Sequence, residues 1–166
     1  MKAKLLRVLL LVAIVYTMNS CSSDDSETPT SETQTQKIMD YTYNQAETDA
    51  MVLINNYRVS IGLPELKQIT HISYKSEQHD NYMITNNVVN HDDFVARSEN
   101  IIKVLGAKRV AENIAYNYNT PKSAVEAWLR STGHKENIEG DFTHFGIAIR
   151  LNADGKKYYT NIFAKI

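Results

Sequence analysis

Residues 110–137 read VAENIAYNYNTPKSAVEAWLRSTGHKEN, and the reading of this stretch decides the fold. Val110 to Ala115 is short and half apolar, which fits a strand or an extended segment with Glu112 pointing one way and Asn113 the other. Thr120-Pro121 then starts a helix, because threonine caps the first turn and proline tolerates it. Val125, Trp128 and Leu129 form that helix's buried stripe, Gly133 is expected to close it, and His134 is expected just beyond the end.

Downstream, Phe145 to Leu151 alternates in polarity, Asn152-Ala153-Asp154-Gly155 is turn chemistry, and Tyr158 to Phe163 alternates again. This is an antiparallel hairpin. Upstream, Ala50, Leu53, Ile54, Tyr57 and Ile61 recur at helical spacing over 45–61, and Gly62 with Pro64 supplies a stop. A second helical pattern runs through Ile69, Ile72, Ser76, His79 and Met83. A third carries Phe94, Ser98, Ile101 and Leu105, and ends at Gly106. Helices first and a hairpin last give an α+β layered domain. His71 and His79 are about 80° apart around their helix, which suits surface or core-edge histidines better than a shared ligand.

The 166 residues hold one domain of ordinary size. The formal charge of −1 includes three positive charges from Lys2, Lys4 and Arg7, so the rest of the chain carries −4. No basic cluster of the kind that neutralises phosphates is present, which argues against nucleic acid as a partner. The three basic residues precede an apolar run, Val8 to Tyr16, too short for the roughly 20 residues of a membrane span, so residues 1–20 read as a secretory signal peptide. Met18-Asn19-Ser20-Cys21 resembles a bacterial lipobox, although Met18 and Asn19 are unusual there. Cys21 is the single cysteine, and lipidation would account for a thiol that has no partner for a disulfide. The alternative is an ordinary signal peptide with an incidental cysteine. Residues 21–44 are read as the lipidated cysteine and a disordered tether, since 22–37 contain no aliphatic or aromatic side chain. Its reach would be roughly 25 Å. Asp24, Asp25 and Glu27 resemble an acidic signal for surface exposure, or are simply a solvated linker. The expected location is the bacterial cell envelope, with the membrane as partner through the Cys21 anchor.

Five pieces in order then carry a family likeness across 45–166: Asn55-Asn56-Tyr57-Arg58, His91, Ala111-Glu112-Asn113-Ile114-Ala115, Ala127-Trp128-Leu129 with Gly133-His134-Lys135-Glu136-Asn137-Ile138, and Phe145-Gly146-Ile147 with Tyr159-Thr160-Asn161-Ile162-Phe163. Together they resemble the CAP superfamily (SCP-like; cysteine-rich secretory, antigen 5, pathogenesis-related 1), and its bacterial branch in particular. The resemblance implies a three-layer α-β-α sandwich with an antiparallel sheet. It also implies a cleft lined by two histidines and two glutamates that can hold a divalent metal such as zinc. Position by position, His91 and His134 match the histidines and Glu112 one glutamate. The second glutamate falls on Ser131, and Ala111 replaces a usual glycine.

Two neutral imidazoles and one carboxylate suffice for zinc with an open water position. His91 and His134 are therefore the candidate metal ligands, with His91, Glu112, Ser131 and His134 as the candidate cleft and His91, Glu112 and His134 as candidate catalytic groups. No H-E-x-x-H helix is present. A bland reading stands beside this one: Glu112 pins a loop through backbone N–H groups, and His134 sits favourably near a helix C-terminus. Asn113 and Asn137 are expected to fix loops, Trp128, Phe145 and Phe163 to be core, and His144 to be solvated. A Ser131–His134–Glu112 hydrolase lacks the strained elbow that usually exposes such a nucleophile. The missing glutamate favours a module binding a metal, a peptide or an apolar small molecule over a metal-dependent hydrolase, and the retained His91, Glu112 and His134 argue against a purely structural or adhesion role.

Overall fold

A computed structural model describes residues 37–166; the expected signal peptide, Cys21 and the acidic residues of the tether lie outside the described residues. Five helices and four strands follow in the order α1 (Gln45–Ser60), β1 (Lys67–Gln68), α2 (Thr70–Asn86), α3 (Phe94–Leu105), β2 (Arg109–Tyr116), α4 (Pro121–Arg130), α5 (Thr132–Glu139), β3 (His144–Leu151) and β4 (Lys157–Lys165). The sheet order is β1-β3-β4-β2. Antiparallel pairing joins β3 to β4 and β4 to β2, whereas the two-residue β1 runs parallel to β3.

Strand alternation distributes the side chains between two helical layers. Phe145, Ile147, Ile149, Tyr159 and Phe163 join one buried cluster with Ala50, Ile54, Val125 and Trp128, which puts α1, α4 and α5 on that face. Ile162 and Ala164 join Ile72 and Ile101 on the other, under α2 and α3. The result is the expected three-layer α-β-α arrangement. Close approach of α2 to β3 depends on Gly146, where an added Cβ would stand 2.4 Å from the backbone nitrogen of Ser73.

Short strand β1 escaped the sequence reading because two residues show no alternation. It is held from outside by Asn55, whose side-chain amide takes both backbone groups of Leu66 at 2.9 and 3.0 Å, as a neighbouring strand would. Three further expectations are corrected. The helix begun at Pro121 ends at Arg130 rather than Gly133, and Ser131 joins it to a separate helix, α5, in which Gly133 and His134 occupy the first turn. His71 and His79 are both buried, at 3 % and 1 % exposure. The domain also starts before residue 45: Asn44 caps α1 through Glu47, the Tyr41 hydroxyl donates to Glu47 at 2.7 Å, and the Met39 N–H donates to His71 Nδ1 at 3.2 Å.

Candidate functional site

Strand β2 is an edge strand, and it carries the two residues that organise everything around it. Its alternation sends Glu112 to the α2–α3 side and Asn113 to the α5 side.

Glu112 is buried and fully engaged. Arg97, from α3, donates through Nε to one carboxylate oxygen at 2.9 Å and through Nη2 to the other at 2.8 Å. The remaining Arg97 nitrogen donates to the Asp92 carbonyl at 2.6 Å. His91 Nδ1 lies 2.9 Å from the oxygen that Nη2 already contacts. Behind them sits His79, whose Nε2 is 2.7 Å from the Asn90 carbonyl and 3.9 Å from Glu112. A carbonyl only accepts, so Nε2 carries the hydrogen, which leaves the buried Nδ1 of His79 bare and without a partner. Burial is the main reason the His79 imidazole is harder to protonate than usual; the Glu112 carboxylate opposes this in part, and the Arg97 guanidinium reinforces it. His79 therefore pins the loop that presents His91.

On the other side of β2, Asn113 Nδ2 donates to the His134 carbonyl at 2.9 Å. Asn137 Nδ2 donates to Asn113 Oδ1 at 2.8 Å. Both asparagines act as the expected loop-fixing amides. They fasten the start of α5 to the strand, and His134 Nδ1 there lies 2.9 Å from Ser131 Oγ. Burial, with a smaller contribution from His91, pushes the His134 imidazole below its ordinary pKa, so it is neutral at neutral pH. Ser131 and His134 border a cavity of about 290 Å³ whose other walls include Tyr116, Tyr118 and Trp128. Another cavity, of about 320 Å³, is lined by a different set of residues that includes the buried Met51, Leu66 and Phe145. Glu65, Thr48 and Asn56 surround it without any histidine, whereas His91 lines a separate cavity of about 540 Å³ with Asp92, Asp93 and Glu99.

The structure thus joins His91 to Glu112 and Ser131 to His134, but no hydrogen bond or ion pair links the two pairs among the described residues. Sequence reasoning missed Arg97 and His79. Arg97 sits one residue from Ser98, which had been placed on the inward stripe, and only the strand across from it explains a buried guanidinium. Arg58 was quoted in the family pattern without a role. It is buried and donates to the carbonyls of Pro64 (2.9 Å), Ile138 (2.6 Å) and Gly140 (3.0 Å), closing the C-terminal end of α5.

The sequence matches the CAP cysteine-rich secretory protein family over residues 51–163. The chain belongs to the CAP family. Among curated relatives it is 32 % identical to the Bacillus subtilis membrane protein YlbC over 127 residues, 72 % of this chain and 34 % of YlbC. The chain therefore spans about a third of that relative. A Bacillus anthracis extracellular protein containing an SCP domain superimposes with a TM-score of 0.63 at 26 % identity, covering 73 % of this chain and 40 % of that one. An outer surface protein of Borrelia burgdorferi gives the same TM-score at 18 % identity, covering 76 % and 98 %, and shares the fold. No helix among the described residues is long and apolar enough to cross a membrane.

A divalent metal in the CAP cleft would need a free carboxylate beside two imidazoles, and the groups present do not fit it. Both oxygens of Glu112 are held by a guanidinium, and a cation next to Arg97 would face like-charge repulsion. Ser131 replaces the second carboxylate and is itself bonded to His134. Among the described residues no three His, Cys, Asp or Glu side chains converge as ligands.

Proposed function

We propose that this CAP domain is a ligand-binding module of the bacterial cell envelope, carried by a lipid on Cys21, whose cleft takes a small apolar molecule or an apolar side chain of a peptide without a metal. The engagement of Glu112 by Arg97 carries this reading, because it removes the carboxylate that a metal-dependent hydrolase would use. The aromatic walls at Tyr116, Tyr118 and Trp128 supply apolar contact, and Ser131 with His134 supplies the few polar groups that orient a ligand. A volume near 290 Å³ is at the small end for ligand pockets, roughly 300 Å³ and upward. This favours a compact group over a sterol or a long acyl chain.

Zinc titration of the purified protein tests the metal-free part. Wild type and the His91→Ala/His134→Ala variant should take up zinc equally weakly. Stoichiometric binding by wild type alone would restore the metal site and with it the hydrolase. For the anchor, incorporation of a fatty-acid analogue should vanish in Cys21→Ser, and a persisting label would refute lipidation. Relatives described as a membrane protein, an extracellular protein and an outer surface protein support an envelope location.

A further inference from the structure

Ser131 occupies the N-cap position of α5 in extended conformation, φ −99° and ψ 120°, yet its side chain does not cap the helix. The hydroxyl is instead paired with His134 Nδ1 at 2.9 Å. The first intrahelical bond at this end runs from the Lys135 N–H to the Ser131 carbonyl. The N–H groups of Thr132, Gly133 and His134 are therefore left over at the first turn, as at any helix start, beside the hydroxyl. Nothing lies within 4 Å of where a Gly133 Cβ would stand, so the space beside that residue is open. The aromatic-walled cavity adjoins the same two side chains. A hydroxyl, a base and a set of backbone donors thus stand beside a cavity walled in part by Tyr116, Tyr118 and Trp128, and the half-buried Ser131 lies at the junction between α4 and α5 rather than inside a helix.

We propose that Ser131 is a nucleophile activated by His134, and that it accepts the acyl group of a small apolar ester seated against Tyr116, Tyr118 and Trp128. The inference rests on the reading of this cavity as the ligand site. With the imidazole hydrogen on Nε2, Nδ1 takes the proton of Ser131 as Oγ bonds to the ester carbonyl carbon. The carbonyl π pair moves onto its oxygen, which the first-turn N–H groups face. When that pair returns, the bond to the leaving alcohol breaks, and the proton on Nδ1 passes to the alcohol oxygen. Water then repeats the sequence on the acyl-serine, releasing a carboxylic acid and restoring Ser131. Glu112 takes no part, since it lies on the other face of β2 under Arg97. Among the described residues the unit is a dyad: the imidazole is paired with Ser131 alone, and Asn113 holds the His134 backbone in place through its carbonyl. Burial holds His134 neutral and able to accept a proton.

The test is exposure of the full chain to a small aryl fluorophosphonate, followed by peptide mass mapping. One adduct is expected, on Ser131, absent in Ser131→Ala and forming ~100-fold or more slowly in His134→Ala. Retained Trp128 fluorescence shows that each variant is folded, and Ser131→Cys, alkylated by iodoacetamide, checks access independently. Quenching of Trp128 by a non-reactive aryl ester analogue reads ligand binding separately from chemistry. If the analogue binds and Ser131 stays unlabelled, the nucleophile is refuted and the binding module stands; if neither occurs, both readings fall.

Discussion

Replacing Arg97 with methionine tests the central electrostatic claim. The guanidinium makes two hydrogen bonds to Glu112, at 2.9 and 2.8 Å, and the two side chains retain only 9 % and 1 % of their exposure. Little water is available to take over when the guanidinium is removed. An unpaired buried charge costs about 3–5 kcal/mol. With a urea slope of about 2 kcal/mol/M for a domain of this size, the unfolding midpoint should drop by about 2 M. Trp128, the single tryptophan and buried, reports the transition by fluorescence. Adding Glu112→Leu removes the stranded charge, and the double variant should recover to within about 2 kcal/mol of wild type, because an apolar pair of similar volume commonly replaces a buried ion pair at small cost. A loss below about 1 kcal/mol for Arg97→Met alone, with no recovery in the double variant, would mean that Glu112 is not held as a buried charge. The argument against a metal would fall with it.

Gly146→Ala should destabilise by about 1–3 kcal/mol or more, measured by the same unfolding assay, because the new methyl meets Ser73 and Ile72 of α2. Asp80 is fully buried, and burial holds its carboxyl well above the usual range despite its bond to Thr160. The folded state therefore keeps a proton that the unfolded chain gives up, so stability is greatest below the ordinary Asp pKa and declines as pH rises. Asp80→Asn should flatten that decline, seen by comparing unfolding at pH 5 and pH 8. Burial shifts His71 and His79 the opposite way, downward. Their contribution is present above the ordinary histidine pKa and is lost as pH falls below about 6.5, an acid-side loss that tryptophan fluorescence would follow. Tyr41→Phe removes bonds to Glu47 at 2.7 Å and from Arg150 at 2.6 Å, and should cost about 1–2 kcal/mol.

The helices and hairpin were legible because each has a periodic inward face: Ile72, Ser76 and Met83 are all buried as their spacing requires. Trp128, Phe145 and Phe163 are likewise core. The α4–α5 junction was not legible, because Ser131, Thr132 and Gly133 read as an ordinary helix stop, and only the Lys135 N–H bond to the Ser131 carbonyl and the bond from Asn113 to His134 show that a new helix begins there. The site was half legible. His91 and Glu112 lie within hydrogen-bond distance, but Arg97 also engages both oxygens of Glu112. A lone arginine on an amphipathic helix carries no mark of its partner in sequence, since the partner arrives from a strand 15 positions away. His144, expected to be solvated, is half-buried, its Nδ1 2.8 Å from the Thr143 hydroxyl.

The fastening of Tyr41 has a mechanical meaning. Tyr41 is gripped by Arg150, which also binds Glu47 and Glu77, so a single guanidinium gathers the segment before α1, the first turn of that helix, α2 and the end of β3. Tension arriving along the chain from its N-terminal side is therefore delivered to the rim of the sheet and shared among three elements before it can unwind α1. The site at β2 shares α2 with that junction, because Glu77 and His79 lie on the same helix.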